Sequence, residues 1–433
     1  MLVAYSIVYT IGFALMVPAF LLNRQKYASS FRERLGNYPE FKHDDRKVIW
    51  LHCVSVGETN AARPLVDNLF ETFPNHRLII STTTKTGKEL AGKIFAGKAD
   101  AVFYFPFDWK FSVQRALENF KPSLVLLMET EIWPRLIHEA KQSGGKIAIV
   151  NGRLSENSFR RYSKVRGLIS RVLADVDLAL MQTAGDAKRI NDLGMNEDRT
   201  GVIGNLKFDQ ATSAAESELT EYFRNRFGFS SEKPLIIAAS THEPEEQYVL
   251  DSLEGELGHS CRLLIAPRHP ERFDSVAKLL VRYSDVPYSY TFIRRSSEPA
   301  DTDKTADIIL LDSIGELRSA YPLAEIVFVG GSLIPHGGQS VLEPATEGKA
   351  IVTGPYTFNF DSVLRVFLDN DAIRQTPEAP QDFQVPERLF EEFMMLLEDK
   401  EKRTELGNNA ALVMEQAAGD ATEKTIDSLK RLV

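Results

Sequence analysis

The stretch Val48-Ile-Trp-Leu-His-Cys-Val-Ser-Val-Gly-Glu58 decides how this sequence is interpreted. Its apolar, β-branched residues predict a strand, and the apolar run stops at Gly57. A helix follows, because apolar residues recur at helical spacing at Ala62, Leu65, Val66, Leu69, Phe70 and Phe73. Glu58 therefore lies on a strand-to-helix turn. In an open α/β sheet, ligands bind beyond the carboxyl ends of the strands, so this carboxylate can reach a substrate. A glutamate also suits the first turn of a helix through the helix dipole, and the stretch alone leaves both interpretations open.

The same alternation of short apolar runs and helical patterns continues along the chain. The first series of predicted strands covers residues 48–54, 77–81, 101–105, 124–128, 146–150, 178–181 and 200–203. A polar stretch at 211–233 predicts a domain junction, and a second series follows at 235–239, 262–266, 307–311, 325–329 and 350–353. Strands that alternate with helices indicate βαβ units and a mainly parallel sheet. We therefore expect an α/β protein with two Rossmann-like, doubly wound domains whose ligand edges face a cleft.

Length and composition narrow the range of functions. A chain of 433 residues predicts two to three domains. We place an N-terminal segment at 1–22, a first domain at 23–215 and a second domain at 216–433. A helix at the end of the second domain could cross back to the first domain. The formal net charge of −9 argues against a nucleic-acid binder with a wholly basic surface. Cys53 and Cys261 lie in or beside apolar segments without metal-ligand spacing, so we expect buried thiols and no zinc site.

The N-terminal segment is long and uncharged. Residues Leu2 to Leu22 carry no charge, and the segment is long enough to cross a bilayer as a helix. No basic n-region or small-residue cleavage site accompanies it, so a signal peptide is not indicated. The following Arg24, Lys26, Arg32 and Arg34 place the protein body in the cytoplasm by the positive-inside rule. We predict an uncleaved, single-pass membrane anchor, with a buried core helix as the alternative.

Ionisable side chains follow several strands of the first series. Glu129 and Glu131 come after the strand at 124–128, and Lys207 comes after the strand at 200–203. A carboxylate at a strand end can hydrogen-bond a nucleophile or hold another side chain, and a lysine can stabilise a departing phosphate. The alternatives are an acidic helix start beside Pro134 and a structural cation near the domain junction.

The second series carries two candidate anion sites. Pro267-Arg268-His269 follows a strand, and arginine suits a pair of phosphate or carboxylate oxygens, so we favour a ligand contact over a surface ion pair with Glu271. The glycine-rich segment 330–345 lets the backbone approach a ligand, and a helix that starts near Ser340 would direct N–H groups at a phosphate. Glu343 can accept hydrogen bonds from ribose hydroxyls. The segment matches neither a P-loop nor Gly-x-Gly-x-x-Gly, and a structural glycine turn is the alternative.

Two Asp-x-Asp triplets invite a metal interpretation. Asp175 and Asp177 precede a strand, whereas Asp301 and Asp303 lie in a charged loop, and neither pair has a supporting ligand nearby in the sequence. A metal-free mechanism without a cofactor fits these surroundings better.

Taken together, these motifs resemble the 3-deoxy-D-manno-octulosonic acid (Kdo) transferases of lipopolysaccharide synthesis. The resemblance rests on Val-Ser-Val-Gly-Glu58, Met-Glu129-Thr-Glu131-Ile-Trp-Pro, Gly-Asn-Leu-Lys207-Phe-Asp, Ser240-Thr-His-Glu, Pro267-Arg-His-Pro-Glu-Arg-Phe and the Gly-Gly-Ser loop that runs to Leu-Glu343. It extends in order from the N-terminal segment to about Asn359-Phe360. It implies a GT-B glycosyltransferase that moves Kdo from CMP-Kdo to the lipid A precursor (lipid IVA), by metal-independent inverting displacement, at the cytoplasmic face of the bacterial inner membrane.

The resemblance also implies roles for individual residues. Glu58 would be the general base for the acceptor hydroxyl, and Glu129 and Lys207 would stabilise the transition state. The CMP contacts would be Pro267, Arg268, His269, Ile314, Gly315, Glu316, Ser340, Val341, Leu342 and Glu343. This chain has Gly337-Gly338-Gln339-Ser340 where the family usually has Gly-Gly-His-Asn. That departure changes the side chains that can meet the phosphate or the Kdo carboxylate.

Two other functions fit the same domain organisation. A sugar-nucleotide epimerase would use the cleft without an acceptor, and it would not need the apolar segment Leu2 to Leu22. A non-catalytic, membrane-tethered nucleotide-binding protein would not need Glu58. The expected partners of the transferase are CMP-Kdo, the lipid A precursor and the inner membrane, with no nucleic acid.

Overall fold

The computed structural model describes residues 2–22, 30–210, 217–229, 233–253, 258, 260–285, 289–417 and 420–433. The chain forms two compact units, one of residues 1–210 with 419–433 and the other of residues 211–418. Each unit contains one parallel sheet of seven strands. This confirms the prediction of two doubly wound α/β domains of the GT-B type.

The first sheet runs in the order β3-β2-β1-β4-β5-β6-β7. Its strands are β1 Lys47–Cys53, β2 His76–Thr82, β3 Ala101–Tyr104, β4 Pro122–Met128, β5 Lys146–Gly152, β6 Leu178–Met181 and β7 Thr200–Val202. The helices of this unit are Leu2–Leu22, Val56–Ala61, Arg63–Thr72, Lys85–Ile94, Lys110–Phe120, Pro134–Gln142, Glu156–Ser163, Arg166–Ala174, Ala184–Asp192 and Ala421–Leu429.

Strand β1 lies inside the first sheet, between β2 and β4, and is buried on both faces. Trp50 pairs in register with Ile79 and Val125, and its side chain packs into an aromatic core with Phe103. Leu51, one residue on, points to the opposite core, because side chains alternate across a strand. Both faces of the sheet are therefore covered, which leaves its carboxyl edge for the site.

The second sheet runs in the order β10-β11-β9-β8-β12-β13-β14. Its strands are β8 Leu235–Thr241, β9 Arg262–Pro267, β10 Phe292–Arg294, β11 Ile308–Leu310, β12 Ile326–Val329, β13 Ala350–Thr353 and β14 Arg374–Gln375. The helices of this unit are Glu218–Phe227, Glu245–Ser252, Phe273–Ser284, Leu317–Ala320, Leu342–Thr346, Asp361–Asp369, Val385–Glu398 and Lys400–Ala417.

The first helix, Leu2–Leu22, differs from its expected role. Over the part of the chain that the structure describes, no helix has both the length and the apolar character needed to cross a membrane. The prediction of a single-pass transmembrane anchor at 1–22 is therefore not supported. The helix instead makes polar contacts with the first unit: the Tyr5 hydroxyl donates to Asp108 at 2.8 Å, and Arg135 donates to the Ser6 hydroxyl at 2.9 Å. Arg24 and Lys26, used to orient that anchor, lie outside the described residues.

Candidate active site

Glu58 sits at the carboxyl end of β1, but the local turn differs from the expected one. The strand ends at Cys53 and the helix begins at Val56, with Ser55 as its N-cap, so Gly57 lies inside the helix and does not form the turn. The Glu58 carboxylate turns back toward the strand. It accepts a hydrogen bond from the Val54 N–H at 2.7 Å and another from the Ser55 hydroxyl at 3.0 Å. The glutamate is thereby locked in one orientation at the edge of the sheet.

The surroundings of Glu58 change its acidity. The side chain is 7% exposed, and burial, followed by the negative charge of Glu129, raises the pKa of Glu58 to about 8. The Val54 N–H opposes this change and Glu131 adds to it. A carboxyl group whose pKa lies near neutral pH can both take up and release a proton under working conditions, which is what a general base requires. The helix dipole alone would have lowered this pKa.

Glu129 and Lys207 lie next to each other in the same unit. Glu129 follows β4 with a left-handed backbone (φ +55°), and its N–H donates to the Val150 carbonyl at 2.9 Å. The Lys207 ammonium lies 3.6 Å from the Glu129 carboxylate. A non-glycine residue in this conformation is strained, and such strain concentrates at functional sites. The structure thus brings Glu58, Glu129 and Lys207 to one edge of the first sheet.

Asn151 is a residue that sequence reasoning missed. It is the penultimate residue of β5, with φ +54°, it is fully buried, and its side-chain oxygen accepts from the Leu206 N–H at 3.0 Å. The preceding Val150 holds Glu129, so residues 150 and 151 fix both Glu129 and the segment that carries Lys207. The only sequence signal was an asparagine before Gly152 at a strand end, since asparagine tolerates a left-handed backbone best among residues with a side chain.

The Pro267-Arg268-His269 segment follows β9 in the second unit. The Arg268 N–H donates to the Thr241 carbonyl at 3.0 Å, which ties this turn to the end of β8. Arg268 and His269 are exposed, and His269 lies 3.8 Å from Glu271. Within the described ranges, the Arg268 guanidinium has no ion-pair partner. The arginine is therefore available to an anionic ligand.

The glycine-rich loop is held by a carboxylate that sequence reasoning also missed. Glu245 is fully buried, and it accepts from the N–H groups of Gly331 at 2.6 Å, Ser332 at 2.9 Å and Leu333 at 2.9 Å. It also accepts from the His242 N–H at 2.9 Å. A Cβ atom at Gly330 would lie 2.7 Å from the Thr241 Cα and 2.9 Å from the Glu245 carboxylate, so only glycine fits there. In the sequence, Glu245 resembled any glutamate in the first turn of a helix.

The helix predicted to start near Ser340 is a short one, Leu342–Thr346, and it begins two residues later than expected. The Ser340 hydroxyl accepts from the Leu342 N–H at 3.4 Å, and Val341 is buried. Glu343 lies near the fully buried Tyr321. Burial, followed by the charge of Glu343, raises the pKa of Tyr321.

The predicted Ile314-Gly315-Glu316 turn is partly open to solvent. Ile314 is 78% exposed, and Gly315 has φ +84° with open space around its α-carbon. Glu316 accepts hydrogen bonds from Arg295 at 3.1 Å and from the Ser313 hydroxyl. An exposed apolar side chain beside an open glycine can cover a flat ligand such as a nucleobase.

Three carboxylates of the Asp-x-Asp triplets, those of Asp175, Asp177 and Asp303, contact side chains of the protein itself. Asp175 lies 3.1 Å from His138, Asp177 lies 2.7 Å from Lys141, and Asp303 lies 2.7 Å from Arg226. Across the described residues, no three histidine, cysteine or acidic side chains are grouped in a way that would hold a metal ion.

Sequence comparisons identify the family of this chain. A family model described as 3-deoxy-D-manno-octulosonic-acid transferase (kdotransferase) matches residues 29–210. The 3-deoxy-D-manno-octulosonic acid transferase of Haemophilus influenzae is 35% identical and covers 94% of this chain and 92% of its own. The enzyme of the same name from Bordetella pertussis is 30% identical over 88% of this chain and 86% of its own.

A solved structure shares the fold. UDP-GlcNAc 2-epimerase from Neisseria meningitidis, bound to UDP-GlcNAc, is 14% identical, with a TM-score of 0.56 over 89% of this chain and 100% of that protein. At this identity only the fold is shared, so the structural match does not separate an epimerase from a transferase. The relatives at 30–35% identity do separate them.

Proposed function

This chain belongs to the 3-deoxy-D-manno-octulosonic acid (Kdo) transferase family and is a glycosyltransferase, and we propose that it transfers Kdo from CMP-Kdo to the lipid A precursor, lipid IVA. One observation carries the chemical part of this proposal. A buried glutamate with a pKa of about 8 lies at the edge of the first sheet, beside the Glu129 and Lys207 pair. This arrangement suits removal of a proton from a sugar hydroxyl.

The proposed reaction is a direct displacement at the anomeric carbon of Kdo. Glu58 takes the proton of the acceptor hydroxyl as its oxygen forms the new bond, and CMP leaves with the electrons of the broken bond. A single displacement inverts the configuration at that carbon. The departing phosphate needs positive charge and N–H donors, which Arg268 and the backbone around Ser340 in the second unit can provide. Lys207 of the first unit is assigned to the transition state as a stabilising positive charge. Because CMP carries one phosphate, we propose that these groups suffice without a metal ion.

The two units divide the substrates in this proposal. The first unit, with Glu58, binds the acceptor, and the second unit, with Arg268 and the glycine-rich loop, binds CMP-Kdo. The contacts to CMP are assigned to Pro267, Arg268, His269, Ile314, Gly315, Glu316, Ser340, Val341, Leu342 and Glu343. We place the reaction at the cytoplasmic face of the inner membrane, on the resemblance to enzymes that use this phosphorylated glycolipid.

A transfer assay tests the proposal. The full chain is incubated with CMP-Kdo and lipid IVA in the presence of EDTA, and the products are analysed by mass spectrometry. We expect the acceptor to gain the mass of one or more Kdo residues and the new linkage to have the inverted configuration by NMR. Absence of transfer, or a strict requirement for Mg²⁺ or Mn²⁺, would contradict the proposal.

Glu129→Gln is expected to shift the acid limb of the profile of kcat/KM against pH to lower pH. The Glu129 charge is the second cause, after burial, of the raised pKa of Glu58. Without that charge Glu58 loses its proton at lower pH, by roughly one pH unit. The maximal rate also falls, because Lys207 loses its ion-pair partner. Glu118→Gln, at an exposed position, is the control and should leave the profile unchanged. If the acid limb of the Glu129→Gln profile did not move, Glu58 would not be the titrating base.

A further inference from the structure

Three imidazole rings meet at the carboxyl edge of the second sheet. His242 follows β8, His269 follows β9, and His336 lies in the glycine-rich loop. The centre of the His242 ring lies 4.0 Å from that of His336 and 5.2 Å from that of His269. His242 is 7% exposed, whereas the other two residues are exposed. The cluster is thus a shallow site with one buried imidazole at its base.

The charged groups around His242 disfavour a positive charge on its ring. His336, His269 and Arg272 surround it, while Glu246, which pairs with Arg272, is the one acid that favours protonation. Glu245 is occupied by backbone N–H groups, including that of His242. Burial and these neighbours lower the pKa of His242 to about 4, so it is neutral at pH 7.

Gln339 gives this ring an adaptable partner. Its side-chain nitrogen lies 3.3 Å from the His242 Nε2, so a neutral ring accepts a hydrogen bond from the amide. If the ring takes up a proton at Nε2, a half-turn of the amide places its oxygen there as the acceptor. A histidine at position 339 would instead add another ring that can become positively charged.

The cluster suits an anion better than a metal ion. The rings of His242 and His336 are inclined by only 36° at a centroid distance of 4.0 Å, so they lie against each other and do not aim their nitrogens at a common point. An anionic oxygen pair, in contrast, can accept from several ring N–H groups at the rim. It would also carry the charge opposite to that of the neighbouring Arg272.

Building on the proposed function, we infer that His242, His336 and Gln339 bind the carboxylate of the donor sugar beside the CMP contact His269, and that His242 takes up a proton when the carboxylate binds. The phosphate of CMP carries the same anionic chemistry and is the competing source. We assign it to the separate segment that begins at Ser340, so the two anionic groups of the donor occupy different places.

The test uses a hydrolysis-resistant CMP-Kdo analogue, its carboxyl methyl ester and CMP alone. Isothermal titration calorimetry at pH 7, in two buffers with different ionisation enthalpies, reports both affinity and proton uptake. We expect the carboxylate analogue to bind with uptake of up to one proton, and the ester and CMP to bind without it. His242→Gln is expected to lower the affinity for the carboxylate analogue by about 10- to 100-fold and to abolish the uptake. The affinity for CMP changes by less than about twofold.

Two further variants test whether the effect is specific to this cluster. His336→Gln, at an exposed position, is expected to weaken only the carboxylate analogue, and His43→Gln in the first unit should change nothing. Equal losses for CMP and the analogue would assign the cluster to the phosphate and overturn the inference, as would unchanged binding in both cluster variants. If the wild-type protein transfers no Kdo and binds none of the three ligands, the proposed function itself fails.

Discussion

Glu58→Gln is expected to lower kcat for Kdo transfer by about 10²- to 10⁴-fold, the range that a general base contributes. Glutamine has nearly the same shape and can still accept a hydrogen bond from the Val54 N–H, which the carboxylate accepts at 2.7 Å. It cannot take a proton from a hydroxyl group. The measurement is single-turnover transfer from CMP-Kdo, which separates the chemical step from substrate binding and product release.

The same variant is expected to be more stable than the wild type at alkaline pH. The folded protein raises the pKa of Glu58 from 4.5 to about 8. The contribution of Glu58 to the free energy of unfolding is therefore fully present below pH 4.5 and is lost as the pH rises through 8. Between these values the wild type loses about 1.4 kcal/mol of unfolding free energy per pH unit relative to the variant. Urea unfolding at pH 5, 7 and 9 measures this trend.

Together, low activity and a stability gain that grows with pH distinguish a lost base from a damaged fold. Glu71→Gln, an exposed glutamate on the next helix, serves as the matched control and should change neither property. A Glu58→Gln protein with normal activity would contradict the assignment of the base. A variant destabilised equally at all three pH values would contradict the raised pKa.

The strands were predictable because buried parallel strands are continuous apolar runs. All twelve predicted strands overlap strands of the structure. The two that were missed, β10 Phe292–Arg294 and β14 Arg374–Gln375, lie at the two edges of the second sheet. They have three and two residues and are only half-buried, so they carry little hydrophobic pattern.

The site was only partly predictable, because sequence shows which residues follow a strand but not which way they turn. Glu58, Glu129 and Lys207 could be proposed from strand ends. The raised pKa of Glu58 could not, since it depends on burial and on a charge 71 positions away in the chain. The N-terminal segment shows the converse: its apolar composition concealed Tyr5 and Ser6, whose hydroxyls contact Asp108 and Arg135.

Glu245→Ala is expected to destabilise the second unit by roughly 3–5 kcal/mol, because the N–H groups that the carboxylate accepts from are buried and lose their partner. These donors belong to His242, Gly331, Ser332 and Leu333. Urea unfolding measures the loss. Glu245→Gln should lower the free energy of unfolding by less than Glu245→Ala. Its amide oxygen still accepts from some of these N–H groups, whereas its NH₂ group faces other donors and cannot accept from them. Glu387→Ala, an exposed glutamate on another helix of this unit, is the control.

This carboxylate also links folding of the second unit to donor binding. Glu245 joins the end of β8, through His242, to the glycine-rich loop after β12, so its loss frees both segments at once. Glu245→Gln should therefore weaken CMP-Kdo binding even under conditions in which the variant stays folded. The loss of affinity is then not explained by unfolded protein. If Glu245→Gln bound the donor with wild-type affinity while folded, the loop would not depend on this anchor. Since a buried glutamate without N–H donors would be destabilising, the loop conformation and the carboxylate stabilise each other.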